Sequence, residues 1–264
     1  MHETNTLLSE VREEILILTL NRPKVNALNL ELIAGLLQAF RKAERDRNIR
    51  CVLLAGAGHV FSAGQDLIEF RQVENESGDE VSIRGHLQHT YNPLVVQIRQ
   101  LPKPVIAAIN GSVSGAALGL ALACDLRIAA EQARFVVGFG GIGLAPDSAV
   151  SLLLPAVIGF ARATEFTFTN KPINAEQALN WGLVNRVVPA ERLDHEAFLL
   201  ASQLAGGPIG AMGLAKRAFN KAILSDLERV LDYESHLQEI ARRSIEHKEG
   251  LDAFLEKRSA KFLG

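Results

Sequence analysis

The chain has 264 residues, of which 48% are hydrophobic and 22% charged, with a formal net charge of −2. That is ample apolar material for a buried core, so a disordered chain is excluded, and the length allows one large domain or a domain with an appendage. With no dense Lys/Arg block and no apolar run of the roughly 18 residues that span a bilayer, neither a nucleic-acid partner nor a membrane partner is expected. Cys51 and Cys124 lie in the apolar strings CVLLAG and LALACD and read as buried free thiols of a reducing compartment; no metal site is expected. The N-terminus, MHETNTLLSEVREE, lacks the basic head and apolar stretch of a signal peptide, so a cytoplasmic location is expected.

In chain order, ILILTL at 15–20 reads as a strand ended by Asn21-Arg22-Pro23. Asn29 is placed to cap a helix whose apolar positions Leu32, Ile33, Leu36, Leu37 and Phe40 recur at helical spacing. A second strand at 51–54 runs into Gly56-Ala57-Gly58, and FSAGQDL at 61–67 is rich in small residues that let backbone approach a ligand. The acidic stretch 74–80 reads as a surface loop. Leu94, Val95, Ile98 and Leu101 mark a helix broken at Pro102-Lys103-Pro104.

The central stretch, residues 104–147, organises the rest. An apolar strand ends at Asn110-Gly111, the small-residue loop SVSGAAL follows, and an Ala/Leu helix runs to near Asp125. A strand, a tight loop and a helix start together expose free backbone N–H groups at the positive end of a helix dipole, which suits a developing negative charge. Next come a strand pair around 126–128 and 135–137, and then Asp147, after a proline and at the head of an apolar helix that carries Pro155 and should bend or end there. Asn174 with Gln177 is a capping-box-like start. Alternating strands and helices imply an α/β domain at 1–205. Beyond Gly206-Gly207-Pro208 strand signals vanish, so 206–264 reads as an all-helical region packing on the core or on a neighbouring subunit.

The segments NRPKVNAL, FSAGQDL, LPKPVIAAINGSVSGAALGLALACD, IGLAPD and EGLDAFLEKR occur in this order across about 240 residues. In these residues the chain resembles the crotonase superfamily, the enoyl-CoA hydratases and isomerases. The resemblance implies a core spiral of ββα turns and C-terminal helices that build a homotrimer or a dimer of trimers. It implies an acyl-CoA substrate and no cofactor beyond the coenzyme A that the substrate carries. Residue by residue, it gives the thioester oxygen to the N–H groups of Gln65 and Ala116. It frames coenzyme A with Lys24, Ala27 and Leu28, and with Ala63, Gly64, Gln65, Asp66, Leu67 and Ile68. Gly115 and Phe139 join that set, as does Lys257, reaching from the C-terminal helix of this or another subunit.

Hydratases of the superfamily use two glutamates at positions that match Gly119 and Phe139 here, and neither can exchange a proton. Asp147 instead matches the single catalytic acid of several isomerases. The pattern FSAGQDL, YNPLV, LPKPV, a Pro-Asp pair and a late FLEKRS is strongest in resemblance to the ring-epoxide isomerases of phenylacetate degradation. The apolar residues Val136, Val137 and Phe139 then read as a wall that favours a protonated Asp147 by desolvation. The expected activity is isomerisation of an acyl-CoA, by double-bond migration or ring-epoxide rearrangement. The alternatives are a hydratase using another acid such as Glu69, and a non-catalytic crotonase-like RNA-binding protein, against which the negative charge counts. Ser112 and Ser114 lack a Gly-x-Ser-x-Gly elbow, so a serine hydrolase is not expected, and His59 reads as a surface or packing residue.

Overall fold

The computed structural model describes residues 5–69, 71–72 and 82–262, and the acidic stretch 74–80 lies outside them. Strands β1 (Leu7–Arg12) and β2 (Ile15–Leu20) form a hairpin turned by Glu13 and Glu14, both left-handed, a geometry whose twist matches that of the flanking strands. Strand β1 has no counterpart in the sequence reading: of its residues only Leu7 is buried, so it carries no alternating pattern. Helix α1 (Leu30–Arg45) starts as expected, the Leu32 N–H donating to Asn29 Oδ1 at 2.9 Å.

The chain then repeats a unit of two strands and returning helix. The first turn is β3 (Cys51–Gly56), β4 (Val60–Ser62), α2 (Ile83–His89) and α3 (Tyr91–Gln100). The second is β5 (Val105–Ile109), β6 (Ser112–Ser114) and α4 (Ala116–Ala123), and the third is β7 (Leu126–Ala130), β8 (Arg134–Val136), α5 (Val150–Ile158) and α6 (Phe160–Thr169). After β9 (Ile173–Asn174), α7 (Ala175–Asn180) and β10 (Arg186–Val188) come the helices α8 (Leu193–Ala205), α9 (Ile209–Ile223), α10 (Leu227–Arg242) and α11 (Ile245–Glu256).

The first strand of each unit joins a six-stranded sheet, β1-β2-β3-β5-β7-β10, parallel beyond the hairpin; the second joins a four-stranded sheet, β4-β6-β8-β9. Strands β7 and β8 are therefore not a pair, as the sequence reading had them, but neighbours in chain order that enter different sheets. Three-residue strands are too short to show a period, which also hid β6. Pro155 sits inside α5, which ends one turn later at Ile158.

The parallel middle of the large sheet, β3, β5 and β7, is buried on both faces, the usual state of parallel strands. On β3, Val52 and Leu54 enter the main core while Cys51 and Leu53 pack under Ala197, Leu200 and Ala201 of α8. Both cysteines are free and buried, and burial pushes each thiol up to about 12. Helices after residue 206 are tied to the core by polar contacts: Lys216 and Arg99 both pair with Asp125, at 2.8 and 3.0 Å, and Asn92 donates to Ser235 at 3.0 Å. Helix α10 turns one stripe inward, Leu227, Leu231, Glu234, Ser235 and Gln238, and two of its members are unusual core residues. Among the described residues no single helix is long and apolar enough to cross a membrane.

Candidate active site

Each repeat leaves the small sheet for its helix through a tight loop, and two such loops meet. The loop after β4 carries Gly64 at φ +86°, the one after β6 carries Gly115 at φ +58°, and both conformations favour glycine. Their approach is so close that a Cβ on Gly64 would lie 2.7 Å from the Ser114 carbonyl oxygen and 3.3 Å from the Ala116 nitrogen. Gly115 is pinned by its own N–H, which donates to the Val137 carbonyl at 3.1 Å. Ala116 is the first residue of α4, so its N–H has no carbonyl one turn back to bond, and among the described residues the Gln65 N–H likewise has no backbone acceptor.

The NRPKVNAL segment is held beside these loops by Asn26. Its Nδ2 donates to the carbonyls of Ala57 and Val60 at 2.9 and 2.8 Å, while the Ser62 hydroxyl donates to its own carbonyl at 2.7 Å. Leu28 is tied to the oxyanion-side loop in both directions, its N–H donating to Gly64 at 2.7 Å and its carbonyl accepting from Asp66 at 3.0 Å. Arg22 clamps the end of the segment by donating to Ala27 and to Asp66. Although burial opposes it, the Glu69 N–H and Arg22 hold the Asp66 carboxyl below the usual range.

A cleft of about 320 Å³ opens between these loops, and Asp147, Gln65 and Ala116 all line it. So do Ala27, Ala63, Asp66, Leu67, Ile68, Gly115 and Phe139. Leu28 and Gly64 stand behind the lining as backbone supports, and Lys24 and Lys257 are exposed residues outside it, each with a left-handed backbone. Of the expected apolar wall only Phe139 reaches the cleft, since Val137 is packed in the core and Val136 is also outside the lining. A second hollow of about 260 Å³ shares Gln65 and Asp66 and contains Glu69, His86 and Leu28; burial pushes His86 down to about 4.

Asp147 is only 5% exposed. It does not head α5 directly, because Ser148 and Ala149 intervene with φ of +55° and +63° before the helix starts at Val150. Two successive left-handed residues without glycine are costly and persist only where the surroundings impose them. Here the Glu234 carboxylate of α10 imposes them, accepting from the Ala149 N–H at 2.8 Å and from the Ser151 N–H at 2.9 Å. The Asp147 carboxylate accepts from the Ser148 hydroxyl on Oδ1 and from Gln238 Nε2 on Oδ2, each at 2.7 Å. Burial pushes Asp147 up to about 6 against the downward pull of these two hydrogen bonds. Burial likewise raises Glu234 to about 7, and the nearby Asp147 charge adds to the rise, since repulsion falls on whichever carboxyl ionises second.

Gly119, on α4, faces this turn. A Cβ there would meet the Ser148 carbonyl oxygen at 2.5 Å and the Ser148 Cβ at 2.6 Å, so the turn that carries Asp147 occupies the space a side chain at 119 would need. Cleft residues that the sequence did not single out for the site include Val25, Gly138 and Leu144, and from α11 His247, Leu251 and Phe254, while Ser114, weighed only as a nucleophile, also lines it. The α11 set was partly legible, since Leu251 and Phe254 are three apart in the EGLDAFL motif and share a helix face. Gln238 and Glu234 were legible only as polar residues four apart on a helix with an otherwise apolar stripe. Among the described residues no cluster of three His, Cys, Asp or Glu side chains is arranged to hold a metal.

A buried carboxyl that lines the same cleft as two main-chain N–H groups without a backbone acceptor among the described residues is equipped to move a proton beside a polarised carbonyl. The family model described as enoyl-CoA hydratase/isomerase matches residues 10–264. The chain is 44% identical over 259 residues to the 1,2-epoxyphenylacetyl-CoA isomerase of Escherichia coli, covering 98% of both chains. It is 36% identical over 261 residues to a probable enoyl-CoA hydratase of Rhodobacter capsulatus, again covering 98% of both. A solved enoyl-CoA hydratase from Mycobacterium avium subsp. paratuberculosis superposes with a TM-score of 0.86 at 32% identity, covering 98% of this chain and 99% of that one. The protein belongs to the enoyl-CoA hydratase/isomerase family.

Proposed function

We propose that this enzyme isomerises an acyl-CoA thioester, shifting a double bond or rearranging a ring epoxide of the 1,2-epoxyphenylacetyl-CoA type, with Asp147 as the proton carrier. What supports the reading is Asp147, the one buried acid among the described residues that line the cleft with Gln65 and Ala116, Asp66 there being half-buried and paired with Arg22, and Gly119 sealed against a further one. In the reaction the Asp147 carboxylate takes a C–H proton beside the thioester. The bonding pair moves onto the thioester oxygen as an enolate held by the two main-chain donors, and the same proton returns at another carbon. Hydration by Glu69 is disfavoured because that residue lines the neighbouring hollow and not the Asp147 cleft.

Coenzyme A lies along the rim formed by Ala27, Ala63, Asp66, Leu67 and Ile68, with Lys24 and Lys257 meeting its phosphates. The exposed Leu214, Phe219 and Ile223 of α9 and Ile240 of α10 are the apolar surface that a trimer covers.

The test is turnover of 3-enoyl-, 2-enoyl- and epoxyphenylacetyl-CoA by wild type and Asp147→Asn. The variant should lose isomerisation by on the order of 10²–10⁴-fold while still binding coenzyme A. Unchanged turnover removes Asp147 from the mechanism. Because proton removal needs the ionised acid and its carboxyl titrates at about 6, wild-type kcat/KM should fall roughly tenfold per pH unit below that point and level off above it.

A further inference from the structure

The residues behind the acid, outside the cleft, are as specifically arranged as those within it. Gln238 is fully buried and belongs to a helix 91 residues further along the chain, yet its Nε2 lies 2.7 Å from Asp147 Oδ2. Its other end, Oε1, is buried without a hydrogen-bond partner among the described residues. A buried amide kept only for packing is expected to satisfy both ends or to be replaced by an apolar side chain, because an orphaned carbonyl costs stability. Gln238 satisfies just the end that touches Asp147.

The two donors to Asp147 differ in kind. The Ser148 hydroxyl on Oδ1 rotates freely, so it can donate to the carboxylate and accept from the acid. The Gln238 Nε2 on Oδ2 can only donate. An acid that picks up and returns a proton in each turnover therefore finds one oxygen whose partner follows the proton and one whose partner does not.

We propose that Gln238 is a positioning residue for the proton carrier: its fixed donor clamps Oδ2, favours the carboxylate, and leaves Oδ1 beside Ser148 as the oxygen that carries the proton. This rests on the reading of Asp147 as that carrier. The proton leaves the substrate carbon for Oδ1, its electron pair stays in the thioester enolate, and the proton goes back to a carbon, with no other reactant consumed. Glu234, four residues before Gln238 on the same face of α10, fixes the turn so that the clamp has a stationary target.

Charged and titratable groups reach this region from several elements: Glu234 from α10, Tyr91 from α3, His247 from α11, and Asp66 at the cleft rim. The experiment must therefore read Asp147 itself, by carbon-13 NMR titration of its carboxyl, alongside the pH profile of kcat/KM. In Gln238→Met, which keeps length and removes the donor, the Asp147 titration and the acid limb of the profile should both rise by about one pH unit or more. Activity should fall about five-fold at pH 6 for a one-unit rise and approach wild type above pH 8. Gln238→Leu removes the donor with an uncharged side chain of similar bulk and carries the test should the Met variant fail to fold; the Asp147 titration must rise there too.

A titration that stays in place in a folded variant, or a loss of activity that is uniform with pH, overturns the proposal and leaves Gln238 a packing residue. The parent reading fails separately, through unchanged turnover in Asp147→Asn.

Discussion

The two walls of the cleft are built on opposite principles. The Gln65 and Ala116 side is main chain, shaped by glycines and small residues next to the groups they position, and its donors are unsatisfied because they open a loop and a helix. The Asp147 side is a side chain on a left-handed turn, held by Gln238 and Glu234 from 91 and 85 residues away. The first wall is rigid by local geometry; the second keeps its shape only while α10 stays docked. Under the proposed function, charge stabilisation would be a property of the backbone, whereas proton transfer would depend on a contact between distant parts of the chain.

Three substitutions probe that contrast. Gly64→Ala strikes the backbone wall, since its methyl would lie 2.7 Å from the Ser114 oxygen at a φ alanine rarely adopts. Spreading the two donors should lower kcat/KM on the order of 10²–10³-fold, the effect of losing one oxyanion donor, with secondary structure retained by circular dichroism. Near-wild-type turnover in that variant would mean that the two amides do not act together.

Glu234→Gln strikes the distant support. The new amide would turn one N–H donor toward the Ala149 or Ser151 N–H that the carboxylate now accepts, costing about 1–3 kcal/mol of stability. A fall of roughly 3–10 °C in Tm by calorimetry is expected, with a smaller loss in turnover than Gly64→Ala. A variant as stable as wild type would show that the turn holds itself.

Lys24→Ala is the mildest. A lone exposed lysine contributes little, so KM should rise no more than about five-fold, and the difference should shrink in high salt while kcat holds. A change in kcat would move Lys24 out of binding and into the chemistry.

Much of this was readable in the chain. The strand at 105–109, the loop to Ala116 and the helix to Ala123 follow from an apolar run, a small-residue turn and an Ala/Leu segment, each a local property. The Asn29 and Asn174 caps were legible for the same reason, and both accept the expected N–H. The second sheet was not, because β6, β8 and β9 have two or three residues each and exist only by pairing with one another. Nor was the role of α10, whose Glu234 and Gln238 look like ordinary helix polarity until the core closes over them.

The sequence by itself offered the candidate residues: amides freed by small-residue loops, Asp147 after Pro146, and glycine at position 119, where the resemblance places a hydratase acid. Tertiary structure alone decided that the Ser148 turn fills the space beside Gly119, that Asp147 is buried enough to titrate at about 6, and that α10 stands behind it. The physical reason is range. Backbone conformation is set by neighbours along the chain, while desolvation and side-chain hydrogen bonding are set by whatever folding brings alongside.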